Sequence, residues 1–424
     1  MKRAHFIGIG GAGMAPLAEI LLRRGARISG SDREANAKTA RLAQTGAEIF
    51  IGHDAAHLPP DAEIVIRSSA VGEKNPELRQ ARKLGIETVR RGEFLARLAD
   101  TWPRPAAVSG SHGKTSITAM LVHILCKAGK NPAFLIGGSV PGAPSSSPGG
   151  EPDDLFVTEA DESDGTHTLL HPALGIVPNV DDDHSWSVGG VEALHGNFRT
   201  FARNCRRLIY GASPTTDALF AEHPAALRLE LPPPEAHRGR WTGFALCNAM
   251  LACRAAAELG VPEPEAWRLL EDFPGVARRM TLHWNAPDLR IIEDYAHHPE
   301  ELAAAITMLQ SQNPGFHLRI LFQPHRYARL TRHLERLAAE LKRADSAFVA
   351  PVFAAWSETG PVGSAELAAA AGARELGGDW SAAARELLRN RPQKPLLIAV
   401  IGAGDVEKIL PELKKLASEA CAGS

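Results

Sequence analysis

The 424-residue sequence predicts an α/β protein made of three parallel-sheet domains. Short apolar, β-branched runs alternate with helical stretches along the whole chain. Glycine-rich turns join a strand to a helix twice, and proline-rich breaks separate the alternating stretches.

In the first stretch, residues 1–102, strands are expected at His5–Ile9, Ala26–Ser29 and Glu63–Ser68, with helices at Leu17–Arg24 and Pro76–Leu84. Trp102-Pro103-Arg104-Pro105 reads as a linker, because each proline disfavours helix around it. The second stretch, 103–273, starts with a strand at Ala106–Ser109 and continues through Leu155–Glu159 and Gly175–Pro178. Pro141–Pro152 reads as a surface loop, and Leu231-Pro232-Pro233-Pro234 as an irregular segment before a helix at Phe244–Leu259. The third stretch, 274–424, has strands expected at Leu289–Glu293, Leu318–Phe322, Ala347–Pro351 and Leu396–Ile401. No repeat is visible beyond this rhythm.

Composition narrows the function. Lys and Arg number 47 against 49 Asp and Glu, a net charge of −2, so nothing favours a nucleic-acid backbone as partner. The five cysteines (Cys126, Cys205, Cys247, Cys253, Cys421) form no CxxC pair, which speaks against a disulfide framework or zinc knuckle and fits a reducing cytosol. The apolar stretch after Lys2 and Arg3 is broken by His5 and Glu19, unlike a leader peptide. No uncharged apolar run reaches the ~18 residues of a membrane span. A cytoplasmic protein, monomeric or homodimeric, is expected.

Six motifs could carry chemistry. Gly8-Ile9-Gly10-Gly11-Ala12-Gly13 matches GxGxxG between a strand and a helix, and Asp32 follows at the spacing of a dinucleotide fold, making the first domain Rossmann-like. The helix N-terminus there suits a diphosphate, but the motif does not choose between NAD, FAD and a nucleotide sugar. Gly110-Ser111-His112-Gly113-Lys114-Thr115 is a second strand-to-helix turn. It has two residues between its glycines where the general P-loop has four. Its amides could cradle the phosphates of ATP, with Lys114 neutralising them and Thr115 binding Mg²⁺. Glu159-Ala160-Asp161-Glu162-Ser163-Asp164 and Asp181-Asp182-Asp183-His184 place acids at strand ends beside that turn, where they suit a magnesium ion better than a solvated loop. Asp294-Tyr295-Ala296-His297-His298-Pro299 and Gln323-Pro324-His325-Arg326-Tyr327-Ala328-Arg329 lie at the same kind of edge. They form an Arg/His cluster suited to a carboxylate or phosphate, since adjacent His297 and His298 share no face for a metal.

In this order the motifs resemble the Mur ligase family, in its UDP-N-acetylmuramate–L-alanine ligase branch. The resemblance is carried by GIGGAGM (8–14), GSD (30–32), RSSAV (67–71), GSHGKTS (110–116), EADESD (159–164), PNVDDDH (178–184), FPGVARRM (273–280), DYAHHP (294–299), FQPHRYAR (322–329) and GAGD (402–405), spanning almost the whole chain. It implies an ATP-dependent, ADP-forming ligase of peptidoglycan synthesis: a UDP-sugar domain (1–102), a P-loop ATP domain (103–273) and a Rossmann-like amino-acid domain (274–424). Gly11, Ala12, Gly13 and Met14 would line the diphosphate, with Ser31, Asp32 and Ser69 near the uridine. ATP would meet Gly110, Ser111, His112, Gly113, Lys114, Thr115, Ser116, Asn248, Arg279 and Asp294. Lys114, Glu159 and His184 would be catalytic, and Thr115, Glu159 and His184 would hold Mg²⁺. Tyr295, His297, His325, Arg326 and Arg329 would surround L-alanine.

The sequence departs from the family in two places. Only 30 residues separate Tyr210 from Trp241, where relatives carry a longer run of strands and hairpins. Phe244-Ala245 stands where a His-Asn pair is usual, although Asn248-Ala249 is kept. Other readings of the residues are a ligase that attaches a recycled tripeptide, a non-catalytic UDP-sugar or nucleotide sensor, and an NAD-dependent dehydrogenase. The last leaves the second glycine turn and both acidic clusters unexplained.

Overall fold

The computed structural model describes residues 2–150, 154–182, 185–233, 236–355 and 359–422. These form two compact units, Met1–Pro274 and Gly275–Ser424.

The first unit opens with β1 (Arg3–Ile7), α1 (Met14–Arg23), β2 (Arg27–Asp32), α2 (Ala37–Gln44) and β3 (Glu48–Ile51). It continues with β4 (Ile64–Arg67), α3 (Pro76–Leu84), β5 (Glu87–Arg90) and α4 (Arg91–Ala99). The five strands make a parallel sheet in the order β3-β2-β1-β4-β5. Helix α3 shows how local signals set boundaries. Asn75 caps its first amides, Pro76 fits the first turn, and Gly85 ends it in the left-handed region at φ +71°.

A second sheet follows within the same unit. Its elements are β6 (Arg104–Val108), α5 (Lys114–Lys127), β7 (Ala133–Leu135), β8 (Ser146–Pro148), β9 (Leu155–Glu159) and β10 (Leu174–Val177). Next come α6 (Ser185–Val188), α7 (Val191–Asn204), β11 (Arg207–Gly211), α8 (Pro214–Phe220) and β12 (Ala226–Leu229). The hairpin β13 (His237–Arg238) and β14 (Trp241–Thr242) leads to α9 (Gly243–Glu258) and α10 (Glu263–Leu269). The strand order is β12-β11-β10-β6-β9-β7-β8, parallel except for β8. The first two sheets share one hydrophobic cluster: Phe6, Leu17, Phe94 and Trp102 join Leu135, Phe156, Ala160 and Leu170.

Two expectations need correcting. The linker does not extend through Pro105, because β6 begins at Arg104 and pairs Pro105 with Phe156. Strand β10 joins only from Ala106, so the proline occupies a stretch where one side of the ladder has not begun. Trp102 is buried, stacked on Phe156 at 4.6 Å and covered by the Arg24 guanidinium at 3.9 Å. Pro141–Pro152 is likewise more than a surface loop. It contains β8, whose buried Ser146 donates a 2.7 Å hydrogen bond to Glu19 of α1. Residues 151–153 lie outside the described residues.

The second unit has β15 (Thr281–Asn285), β16 (Leu289–Asp294), α11 (Pro299–Gln312), β17 (His317–Phe322), α12 (Tyr327–Leu341) and β18 (Ser346–Val349). It closes with α13 (Ser364–Ala371), β19 (Arg374–Glu375), α14 (Trp380–Leu388), β20 (Leu396–Ile401) and α15 (Leu410–Ala422). The order β15-β16-β20-β17-β18-β19 is parallel except for β15. All six residues of β20 are buried, as a continuous apolar run covered on both faces requires.

Candidate active site

At the carboxyl edge of the first sheet, the chain turns from β1 into α1 through Gly8–Gly13. Asp32, at the end of β2, accepts the Gly10 amide at 2.8 Å, and Gly8 carbonyl accepts the Gly11 amide at 3.1 Å. Among the described residues, the amides of Ala12 and Gly13 have no acceptor, and helix α1 carries neither a side-chain cap nor an acid in its first turn. That leaves a positive helix end turned to whatever binds there. Met14 is buried and faces the core, so only its backbone lies at the turn, and Ser69 is exposed after β4.

Ser31 is fully buried and donates to Glu77 Oε2 at 2.8 Å. The same carboxylate meets His5 Nε2 at 2.7 Å and His53 Nδ1 at 3.0 Å. Burial alone would raise the Glu77 pKa, but the hydrogen bonds of His5, Ser31 and His53 bring it below the ordinary value. Glu77 thus fixes the end of β2 from beneath. Sequence reading missed it because its partners lie 24 to 72 positions away.

The second glycine turn is held by the segment after β10. Asn179 Oδ1 accepts the His112 amide at 2.8 Å, and the Asp181 amide donates to Ser111 Oγ at 2.8 Å. Gly110 has φ +146°, and a β-carbon there would come 2.9 Å from the Asn179 carbonyl oxygen. Asn248, on α9, reaches this turn: its Oδ1 lies 2.5 Å from where a β-carbon on Gly113 would sit. Ser116 is half-buried in the first turn of α5.

Lys114 Nζ donates to the Gly110 carbonyl at 2.7 Å and to Glu162 Oε2 at 2.8 Å. Burial opposes its charge, but Glu162, Asp161 and Glu159 outweigh it and push the Lys114 pKa up to about 12. The lysine is therefore a fixed cation at neutral pH. Burial pushes the Glu162 pKa up as well, to about 7, against the pull of Lys114. Beside this pair, Thr115 Oγ1 donates to Glu159 Oε2 at 2.8 Å, and the Gly137 amide bonds to the other Glu159 oxygen. A hydroxyl and a carboxylate in contact at a strand end form a donor set suited to a hard cation such as Mg²⁺. Asp183 and His184 lie outside the described residues, so the expected metal ligand His184 is not placed.

A cleft runs from the first glycine turn to Glu159, the carboxylate that Thr115 of the second turn donates to. Ala12, Gly13, Leu17, Arg91 and Leu95 line one wall, and Leu135, Ile136, Gly137, Thr158 and Glu159 line the other.

The second unit gathers the remaining motifs at the carboxyl ends of β16 and β17. His297 Nδ1 lies 3.0 Å from the Tyr295 carbonyl oxygen and 3.3 Å from Glu301, with the His325 ring 5.6 Å away. His325 stacks on Phe353 and meets Arg329 Nη1 at 3.1 Å. Arg326 occupies a left-handed conformation at φ +67°, fixed by its amide donating to the Phe353 carbonyl at 2.9 Å. Tyr295, His297, His325 and Arg329 therefore form one group. His298 turns away, buried against His333 at 4.7 Å, as the lack of a shared face requires. Asp294 accepts the amides of Met280 at 2.9 Å and Ala296 at 2.8 Å, and burial raises its pKa against the pull of Arg279. Arg279 stands 5.1 Å above the Tyr295 ring and 3.6 Å from Glu301.

Comparison with known proteins decides the family. The description "Mur ligase family, catalytic domain" matches residues 3–102, and "Mur ligase, glutamate ligase domain" matches 278–404. A UDP-N-acetylmuramate–L-alanine ligase of Streptomyces coelicolor is 34% identical, covering 98% of each chain. The chain belongs to the Mur ligase family. A ligase of the same name from Aquifex aeolicus is 33% identical over 98% of each chain. The crystal structure of the Thermotoga maritima UDP-N-acetylmuramate–alanine ligase superposes with TM-score 0.82 over 99% of this chain and all of its own, at 22% identity. A murein peptide ligase from Psychrobacter arcticus has the same fold, with TM-score 0.71 over 98% of each chain at 22% identity. In this Mur ligase, sequence reading did not single out Glu77, Arg91, Glu162 or Glu301 as site residues. Glu162 lies inside a motif that was read. Glu77, Arg91 and Glu301 acquire their partners only through the fold.

Proposed function

We propose that this Mur ligase joins L-alanine to the carboxylate of UDP-N-acetylmuramate at the expense of ATP, for peptidoglycan synthesis in the cytoplasm. The observation that carries the reading is the single cleft running from the glycine turn at Ala12–Gly13 to Glu159 beside Lys114 and Thr115. In this reading a diphosphate cradle at Ala12–Gly13 and a phosphoryl-transfer site at Glu159 face the same cleft. The full-length relatives bearing that name support the choice of substrates.

A carboxylate is a poor electrophile, so it first attacks the γ-phosphorus of ATP, giving an acyl phosphate and ADP. The amine of the amino acid then attacks the acyl carbon and expels phosphate. Lys114, charged and held against the turn by the Gly110 carbonyl, stabilises negative charge on the phosphoryl group in transit. Thr115 and Glu159, with His184, would hold Mg²⁺, which when bound neutralises phosphate charge. In this reading 1–102 carries the sugar nucleotide, 103–273 carries ATP, and 274–424 carries the amino acid. Arg326 and Arg329 grip the alanine carboxylate and aim its amine, while Tyr295, His297 and His325 wall the pocket.

The test is phosphate release by the purified chain with ATP, Mg²⁺, UDP-N-acetylmuramate and each of L-alanine, L-serine, glycine and a muropeptide tripeptide. Release is expected only with both sugar nucleotide and L-alanine, and Lys114→Ala should lower kcat by at least ~10³-fold. Release with the tripeptide in place of L-alanine would instead assign a recycling ligase. No release, with UDP-sugar binding intact, would assign a sensor.

A further inference from the structure

Among the described residues lining the cleft, Arg91, at the start of α4, carries the one positive charge. Its side chain lies against the glycine turn: a β-carbon on Gly13 would come 2.9 Å from Arg91 Cδ and 3.2 Å from Nη1. The same guanidinium donates through Nη2 to Asp164 at 2.8 Å. Asp164 Oδ1 accepts the Thr166 amide at 3.0 Å, which fixes the carboxylate in place. Both side chains of the pair keep partial access to solvent, 19% and 26%. The arrangement parallels Lys114 and Glu162 at 2.8 Å. The segment 159–164 thus supplies one carboxylate to the cation at each glycine turn.

We propose that Arg91 receives the diphosphate of the sugar nucleotide, and that Asp164 occupies its guanidinium until the ligand arrives. This rests on the assignment of the sugar nucleotide to the first glycine turn. A diphosphate brings two negative charges into a cleft whose walls include Pro16, Leu17, Leu95, Leu135 and Ile136. The backbone amides there supply dipoles but no net charge. A guanidinium supplies the charge and a fork that matches two phosphate oxygens. Because the Arg91–Asp164 pair is partly hydrated, its carboxylate exchanges readily for a more highly charged anion. Asp164 is then a competitor of the substrate, and its charge weakens binding.

The experiment is calorimetric titration of the full chain with UDP-N-acetylmuramate, UDP and uridine, without ATP or amino acid. Arg91→Gln is expected to weaken UDP-N-acetylmuramate and UDP at least 10-fold and to leave uridine unchanged, with Arg91→Lys between. Asp164→Asn keeps the Thr166 hydrogen bond and removes the charge, so it should tighten both diphosphates several-fold. ATP affinity and melting temperature, measured on each variant, should stay at wild-type values. Effects of the same sign in Arg91→Gln and Asp164→Asn, or an unchanged affinity in Arg91→Gln, would overturn the proposal and leave the pair a structural tie. A wild-type chain that binds none of the three would instead remove the sugar-nucleotide reading, and this inference with it.

Discussion

His167 has both ring nitrogens buried without a hydrogen-bond partner, packed against Phe198 at 4.9 Å and Phe201 at 5.9 Å. Burial pushes its pKa down to about 4, so the ring is neutral at pH 7. An unsatisfied buried polar group costs about 1–3 kcal/mol, and an apolar ring of similar shape avoids that cost. His167→Phe is therefore expected to raise stability by ~1–2 kcal/mol, read as a higher urea midpoint. The pH dependence follows from the same residue. Unfolded histidine binds its proton near pH 6.5 and the native ring only near 4, so the native state binds fewer protons between those values. The stability that the neutral ring contributes is complete above about pH 6.5 and is lost as pH falls toward 4, on the order of 3 kcal/mol in all. Urea midpoints between pH 4 and 7 should fall more steeply in the wild type than in His167→Phe, and parallel curves would exclude the assignment.

Helix α9 carries the second departure from the family pattern, Phe244-Ala245. Phe244 is 49% exposed in its first turn, one turn before Asn248, which touches the second glycine turn. An exposed aromatic at that place is an available stacking face for the base of the nucleotide, and base stacking on an aromatic ring contributes about 1–3 kcal/mol. Phe244→Ala should raise the KM for ATP by ~10-fold with kcat unchanged, and Phe244→Trp should restore it; an unchanged KM in the alanine variant removes the role. The legible parts of the fold are those whose signals are local. Leu155–Glu159, Leu396–Ile401 and Pro76–Leu84 emerge with the expected bounds, because an apolar run, or a Pro start and Gly stop, suffices to define each. Both glycine turns were legible for the same reason. Strand β8 was not, since Ser-Ser-Pro has no strand propensity and is held by pairing with β7 and by the bond from Ser146 to Glu19. Arg91 was hidden likewise: its partner Asp164 lies 73 positions away.

The two compact units differ in how their cores close. The clusters around Leu302, Phe322 and Leu337 and around Ile291, Ile398 and Leu413 lie wholly within 275–424. The N-terminal sheet closes only one cluster by itself, around Ile7, Val65 and Leu78; in its other, Trp102, the last residue before Pro103, rests on Phe156, and the cluster continues into Leu135, Ala160 and Leu170. The prolines at 103 and 105 mark where one sheet ends and another begins, but a chain break there would cut through a shared core. Truncation separates the two cases. Residues 275–424 expressed alone should give dispersed amide spectra and a cooperative melt. Residues 1–102 alone should expose the apolar face that Phe156 and Leu170 cover, bind a hydrophobic dye and melt broadly or aggregate. Trp102→Ala in the full chain should cost ~3–5 kcal/mol, as loss of a buried aromatic does, and should lower the melting of both sheets together because they share the cluster. If 1–102 instead melted sharply by itself, the Trp102–Phe156 stack would be a surface contact between independent domains, and the two glycine turns would be free to move against each other. A shared core holds the two glycine turns on one body, so that the cleft from Gly13 to Glu159 is expected to keep its width when a ligand enters.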